Sequence, residues 1–255
     1  EPEHRRHFES HLEIPPHFFW DPAAPSNAGF MVKSLQKHYG WQITDAQKKL
    51  VEWADMIDSA SFPSPDIPVE LVEPAVAFAR LLENSVDNAE TERFIQDLTS
   101  SRTLDEMANE PYWSNRINRV RQANWDEVED IKRVLETRDG TAFIDLSGQE
   151  RAGFNKFIPY YLAPDVLYSV ALLLYRNRYK ISVGTNPWHD LRNADPVLDI
   201  GALCEKYGGG GHCAVGAVSL DKTERERAAF AAREILEICI KNIEAIKLEQ
   251  AKKIL

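Results

Sequence analysis

Four of the chain's 12 glycines lie side by side, directly before a histidine, in the stretch Gly208-Gly209-Gly210-Gly211-His212-Cys213-Ala214-Val215-Gly216. Consecutive glycines accept positive φ and carry no side chain, so their N–H groups can converge on an anion that approaches the bare backbone. The imidazole of His212 would add a hydrogen-bond donor or a general acid beside that anion. The motif predicts an anion-binding loop, with His212 as catalytic candidate and with the binding residues Gly208, Gly209, Gly210, Gly211 and His212. A flexible surface turn with a stray histidine is the alternative.

Two better-known glycine motifs do not fit this stretch. The spacing Gly209-x-Gly211-x-x-Ala214 loosely matches a dinucleotide fingerprint, but that fingerprint must follow a strand and open a helix. Here the residue pattern predicts the reverse order, with a short helix at 198–207 before the glycines and a strand at 214–220 after them. A Walker loop is excluded because no Gly-Lys-Ser or Gly-Lys-Thr follows. The order of helix, polyglycine, histidine and strand is less common than these two motifs. It is therefore more informative about the kind of protein.

The spacing of apolar residues divides the chain into two parts. Residues 1–136 predict almost only helices, with capping boxes that begin at Thr44 and Thr103. Among these helices are one at 70–82 and one long or kinked helix at 112–136. The turn-forming Arg138-Asp139-Gly140 sets the boundary between domains 1–136 and 137–255. The second domain is expected to be a layered α/β domain with a mixed sheet, built from strands at 141–146, 179–183 and 214–220 and helices at 165–175, 198–207 and from 223 onward.

Composition excludes several classes of protein. Hydrophobic residues make up 44% and charged residues 27% of 255 residues, which is typical of a folded, soluble protein, and no apolar run is long enough for a membrane span. Three cysteines cannot all pair, which favours reduced thiols in the cytoplasm. The net charge of −10 disfavours binding to long duplex DNA or to anionic lipid. Residues 1–136 carry 14 basic and 25 acidic side chains and residues 137–255 carry 16 and 15, so a polyanion would more readily meet the second part.

The glycine motif resembles a signature of the DHH phosphoesterases, whose accessory C-terminal domain ends in Gly-Gly-Gly-His-x-x-Ala-Ala-Gly. Residues 209–216 match this signature, with Val215 in place of the second alanine. The expected strand at 180–183, the helix opened by 199–203 and the long last helix also match, so that the resemblance covers about 141–246. It implies an α/β fold in which 1–136 is the mostly helical remainder of a DHH domain plus a helical linker. Residues 137–255 would then form the smaller, substrate-binding DHHA1 domain.

The resemblance also implies a metal site. Residues 20–26 are similar to the segment that follows the Asp-His-His motif of the family, and residues 58–62 are similar to its fourth motif, in which an aspartate ligates metal. Asp58 is therefore the first candidate ligand and Asp55 its competitor, for a site that in the family holds two Mn²⁺ ions, or Mg²⁺ instead. The first three family motifs are absent from this sequence. We expect a fragment of a longer chain; a degenerate, metal-free relative is the alternative.

Further substrate contacts are expected around the strand at 179–183. Arg178 alternates with Arg176 and Lys180 and would contact phosphate, unless these charges only protect a solvated strand edge. Ser182, Asn186 and His189 are additional candidate ligand contacts, and Trp188 would either stack on a base or pack under the glycine loop.

The function that the resemblance implies is metal-dependent phosphohydrolysis. Substrates of the family are small nucleotides, short single-stranded oligonucleotides and polyphosphate, attacked by a water that two metal ions activate. The resemblance also allows a homodimer. A non-catalytic nucleotide- or RNA-binding module is the competing hypothesis.

Overall fold

The computed structural model describes residues 21, 23–85, 88–100, 102–151 and 153–254. The chain forms two compact units that divide between Ala123 and Asn124. The expected domain boundary at 136/137 lies 13 residues further on and stays a prediction. None of the described helices is both long and apolar enough to cross a bilayer.

The unit that ends at Ala123 is helical. Its described helices are α1 (Asn27–Tyr39), α2 (Asp45–Asp58), α3 (Asp66–Glu70), α4 (Pro74–Asn84), α5 (Asn88–Thr99), α6 (Leu104–Asn109) and α7 (Pro111–Val134), which continues into the other unit. Phe78, Met107 and Trp113 are buried in its core. The edge-to-face contact of Phe78 with Trp113, at 5.3 Å between ring centroids, joins α4 to α7.

Local sequence sets several of these helix ends. Thr44 and Thr103 begin α2 and α6 through the capping boxes that the sequence predicts. Gly40 ends α1 with φ 65°, a left-handed conformation that favours glycine. The expectation of one helix at 70–82 is wrong, because Leu71 adopts a left-handed conformation with φ 54° and separates α3 from α4.

The unit that begins at Asn124 contains a six-stranded sheet. Its strands are β1 (Leu135–Arg138), β2 (Thr141–Arg151), β3 (Tyr168–Tyr175), β4 (Arg178–Thr185), β5 (Gly210–His212) and β6 (Val215–Asp221), arranged in the order β1-β2-β3-β4-β6-β5. The helices are α8 (Ile158–Leu162), α9 (Ile200–Glu205) and α10 (Arg225–Ile254), with a 3₁₀ turn at Asp190–Asn193. Only β2 and β3 pair in parallel among the described strands, so the sheet is mixed as predicted.

The expected helix at 165–175 is wrong, because this segment forms β3. Every residue from Tyr168 to Leu173 is buried, and β3 is hydrogen-bonded to β2 on one side and to β4 on the other. A strand buried on both faces has a continuous apolar sequence, which periodicity alone cannot distinguish from a buried helix. A smaller error concerns β1, where the sequence predicts the end of the long helix.

One face of the sheet forms the main hydrophobic core. Ile181 and Val183 of β4 and Val218 and Leu220 of β6 belong to this core. They pack with residues of α9 and α10 that include Leu203, Ile235, Cys239, Ile243 and Ile246. Because side chains alternate along a strand, the residues between them point to the opposite face of the sheet.

Candidate functional site

The glycine stretch forms the end of helix α9 and the edge strand β5. The N–H groups of Gly208 and Gly209 donate to the carbonyl oxygens of Glu205 and Cys204, each at 3.0 Å, and so close the helix. These two groups are thereby engaged within the chain and do not point freely towards an anion. The anion-binding expectation accordingly rests on the part of the stretch that forms β5, which ends at His212.

Close backbone contact explains why several of these positions are glycines. A Cβ atom at Gly209 would overlap the carbonyl oxygen of Ala217, and one at Gly216 would lie 2.7 Å from the Cys204 sulfur. A Cβ atom at Gly201 in α9 would lie 2.8 Å from the carbonyl oxygen of Gly211. Helix α9, β5 and β6 therefore pack backbone against backbone, which fixes the position of His212.

The strand register brings separately predicted residues to one face of the sheet. Ser182 of β4 is paired with Ala217 of β6, and Ala217 with Gly210 of β5. Gly184 is paired in the same way with Val215, and Val215 with His212. Directly paired residues point to the same side of an antiparallel sheet.

We name this surface of β4, β6 and β5 the open face. It comprises Arg178, Lys180, Ser182, Gly184, Val215, Ala217, Ser219, Asp221, Gly210 and His212, so that it carries one carboxylate, opposite Arg178. His212 and Arg178 are exposed, and Ser182 is partly exposed. The side chain of His212 has no hydrogen bond to a described residue. At roughly 4.8 Å between strands, His212 lies about 10 Å from Gly184 across the sheet.

Tyr160 of α8 borders the open face at Gly184. Its hydroxyl lies 2.7 Å from the Ser169 hydroxyl and would be 2.7 Å from a Cβ atom at Gly184. Burial raises the pKa of Tyr160, so the phenol stays protonated and can share a proton with Ser169. The Trp188 ring meets Tyr160 at 6.4 Å and Phe157 at 5.8 Å between centroids, in edge-to-face geometry.

We name Phe157 and Trp188 the aromatic rim. Both residues are partly exposed. Phe157 and Tyr160 were not identified from the sequence, although the aromatic residues in 154–161 offered a signal. Trp188 packs against Phe157 and Tyr160, while its role as a stacking surface stays a prediction.

Asn186 and His189 lie in the loop that follows β4, and both form hydrogen bonds that hold it. Asn186 is only 1% exposed, and its Nδ2 donates to the carbonyl oxygens of Pro164 at 3.0 Å and Val166 at 2.9 Å. Its Oδ1 accepts from the backbone N–H of Trp188 at 3.0 Å. The Asn186 amide thus holds this loop, and its contact with a ligand stays a prediction. His189 accepts a hydrogen bond at Nδ1 from the Leu191 N–H at 3.0 Å. Its other ring nitrogen, Nε2, lies on the side of the ring away from this bond.

The two metal-ligand candidates have different surroundings. Asp55 accepts a hydrogen bond of 2.5 Å from the Ser26 hydroxyl, which in turn accepts from the Gly29 N–H at 2.9 Å and caps α1. A Cβ atom at Gly29 would overlap the Asp55 carboxylate. Asp55 thus joins α2 to the beginning of α1.

Asp58 lines a cavity of about 360 Å³, together with Asp21 and the start of α1. Asp21 also accepts from the Ala23 N–H at 2.9 Å. No group of three or more His, Cys, Asp or Glu side chains among the described residues is placed to hold a metal ion. Two carboxylates do not make up the ligand set of a Mn²⁺ ion, so the described residues alone do not fit the expected metal pair. Trp20 and Pro22, from the segment expected to follow the Asp-His-His motif, lie outside the described residues.

Comparison with solved structures finds a chain of the same architecture. A pGpG-specific phosphodiesterase, PggH from Vibrio cholerae, matches with a TM-score of 0.66 and 22% sequence identity over 92% of this chain and 78% of its own. The two chains share a fold. The α/β architecture expected from the DHH/DHHA1 resemblance is thus confirmed at the level of the fold.

Two further solved structures are too dissimilar to this chain to support an argument about its fold. A DHH domain from a member of a family of ribosomal proteins matches with a TM-score of 0.33 and 12% identity, over 72% of this chain and 54% of its own. An uncharacterised protein from Helicobacter pylori matches with a TM-score of 0.26 and 13% identity, over 84% and 67%. Both scores are too low to indicate a common fold. No protein-family model and no curated protein matches the sequence.

Proposed function

We propose that this chain belongs to a DHH-type phosphodiesterase that hydrolyses small nucleotides, with a linear dinucleotide such as pGpG as its substrate. The observation that carries the proposal is the fold shared with a pGpG-specific phosphodiesterase over 92% of the chain. The open face gives independent support, because it gathers the chemistry of a phosphate site on a rigid sheet. His212, from the glycine motif that carries the family resemblance, lies on this same face.

The residues of the open face would bind the phosphate group. The imidazole of His212 and the hydroxyl of Ser182 can each donate a hydrogen bond to a phosphate oxygen, and hydrogen bonds to charged groups are the stronger ones. Lys180 lies on the same face between Arg178 and Ser182 and adds positive charge. The acidic residues of 1–136 favour a small substrate over a long polyanion.

A requirement for Mn²⁺ is part of the proposal and rests on the family resemblance alone. Since the described residues do not complete a metal site, we assign them substrate binding and no step of hydrolysis. Asp58 remains the proposed metal ligand in preference to Asp55, because it lines a cavity with a second carboxylate whereas Asp55 is bonded to Ser26.

A non-catalytic nucleotide-binding module is the second candidate function. It is favoured by the open face, which offers hydrogen-bond donors and positive charge to a phosphate without a metal ion. Such a module would bind the dinucleotide through the open face and leave it intact.

The test measures both binding and turnover of pGpG, with added Mn²⁺ and with EDTA. The phosphodiesterase predicts release of mononucleotides that EDTA abolishes. Replacing His212 by Ala removes one hydrogen bond to a charged group, so we expect KM to rise roughly 10- to 100-fold. His38→Ala, at an exposed histidine of α1, is the matched control and should leave KM unchanged. Binding without turnover would establish the module, and a chain that binds no nucleotide contradicts both functions.

A further inference from the structure

Helix α10 has an exposed side that carries two large apolar residues. Its opposite side packs on the sheet through buried residues such as Ala232, Ile235 and Cys239. On the exposed side, Phe230 is 64% and Leu248 58% exposed. Leu248 follows Phe230 by 18 residues, which is five turns of an α-helix, so both side chains lie on one line along α10, about 27 Å apart. The two ends of this line are therefore apolar.

Charged residues occupy the middle of the same line. They are Glu234, Glu237, Lys241 and Glu244, and all four are exposed. At about 100° of rotation per residue, each of them lies within about 40° of the line. We name this line, from Phe230 to Leu248 through these four charged residues, the α10 stripe.

The α10 stripe is complementary to itself when two copies lie antiparallel. If a two-fold axis crosses the pair at the level of Cys239, each residue faces the residue of the second copy that lies equally far on the other side of Cys239. Phe230 and Leu248 lie nine residues on either side, so each phenylalanine would face a leucine. Glu237 and Lys241 lie two residues on either side, so each glutamate would face a lysine. A parallel pair would instead place each residue against its own copy, glutamate against glutamate.

The other charges of α10 agree with the antiparallel arrangement. Arg233 is exposed on the flank of the stripe that Glu244 also occupies, and the two residues lie six and five residues from Cys239. They would therefore form an ion pair between the copies, twice in each dimer. Glu234 and Glu244 lie equally far from Cys239 but on opposite flanks, which separates these two carboxylates. Charge complementarity thus favours a second copy of this chain as the partner.

We propose that this chain forms a homodimer in which the α10 stripes of two copies pair antiparallel. This surface and its partner are independent of the proposed function, which concerns the open face. Helix α10 packs on the face of the sheet that carries Ile181 and Val183, so the open faces of both copies point away from the paired helices. One helix from each copy makes a small interface, and we expect a Kd for dimerisation of roughly 1–100 μM.

The first experiment measures dimerisation of the full chain by sedimentation equilibrium, over a range of concentrations around that Kd. Phe230→Ala removes an apolar contact twice in each dimer and should raise Kd about 10- to 100-fold. Val72→Ala is the matched control, because Val72 is also 64% exposed and lies outside the α10 stripe. It should leave Kd unchanged.

The second experiment tests which residues face each other. Arg233→Glu and Glu244→Arg each place like charges opposite one another, so each variant alone should dimerise roughly 10-fold more weakly than the wild type. An equimolar mixture of the two variants restores opposite charges at both contacts of a mixed dimer, and its Kd should return close to that of the wild type. These residues suit the exchange because neither forms a hydrogen bond or ion pair with another described residue, whereas Glu237 is bonded to Arg138.

The outcomes distinguish this pairing from the proposed function. A wild-type chain that stays monomeric, single charge variants that dimerise as well as the wild type, or a mixture that dimerises no better than its components would each overturn the pairing. A dimer that binds no nucleotide contradicts the proposed function alone, and a monomer that binds pGpG contradicts the pairing alone.

Discussion

Gly184→Ala should destabilise the sheet at the border of the open face. The new Cβ atom would lie 2.7 Å from the Tyr160 hydroxyl, whereas ordinary contact begins at 3.4 Å, so the hydroxyl must move by about 0.7 Å. Tyr160 is 3% exposed and packs against Trp188, which leaves little room for that movement. The shift also weakens the 2.7 Å hydrogen bond between Tyr160 and Ser169.

The expected magnitude follows from these two effects. Overpacking of a core costs about 1–3 kcal/mol, and a buried hydroxyl that loses its partner costs about 1–3 kcal/mol. Because the structure relaxes in part, we expect Gly184→Ala to lower the free energy of unfolding by about 2–4 kcal/mol. Tyr160→Phe alone should lower it by about 1–2 kcal/mol, since it leaves Ser169 without this partner.

The double variant tests the argument, because removing the hydroxyl removes the overlap. Gly184→Ala in the Tyr160→Phe background should therefore cost at least about 1 kcal/mol less than in the wild type, measured by urea unfolding. Gly148→Ala is the control, since a Cβ atom at Gly148 meets nothing within 4 Å. Additive costs in the double variant, or a Gly184→Ala variant as stable as Gly148→Ala, would refute the reasoning.

Three further predictions concern stability. Asp55→Ala should lower the free energy of unfolding by about 1–2 kcal/mol through loss of the bond from Ser26, and Asp58→Ala by less than about 0.5 kcal/mol; equal effects in urea unfolding would contradict the assignment. Asn186→Ala should cost about 1–3 kcal/mol, because three backbone groups lose their partner and one of them, the Val166 carbonyl, is buried; a cost below about 0.5 kcal/mol would argue against it. Burial raises the pKa of Cys239 from 9.0 to about 12, so the folded chain holds this proton while the unfolded chain releases it. Stability should therefore fall between pH 9 and 12, and Cys239→Ala should reduce that slope by about 1.4 kcal/mol per pH unit; an unchanged slope would be evidence against it.

Features that depend on neighbouring residues could be predicted from the sequence. The capping boxes at Thr44 and Thr103 are examples, because each is complete within four residues and needs no tertiary contact. The helix α9, the strand β6 and the mixed character of the sheet could be predicted as well. β3 could not, because its burial on both faces removes the alternation that identifies a strand.

The candidate site could be predicted only in part. His212, Ser182 and Arg178 could be identified singly, but their common face depends on the pairing of β4 with β6 and of β6 with β5. The sequence predicts that the glycine N–H groups donate to an anion, whereas those of Gly208 and Gly209 close α9. The sequence does not distinguish a glycine that binds an anion from one that allows backbones to approach, since both need an absent side chain.

The burial of β3 has a consequence for how the protein would meet its ligand. The amides of β3 are bonded to two neighbouring strands and can exchange with deuterium only when most of the sheet opens. β4 is paired along its whole length with β3, so the backbone at Ser182 is already held in one place before any ligand arrives. Ligand binding would then require little ordering of the protein. Most of the free energy of the protein–ligand contacts would therefore appear as affinity.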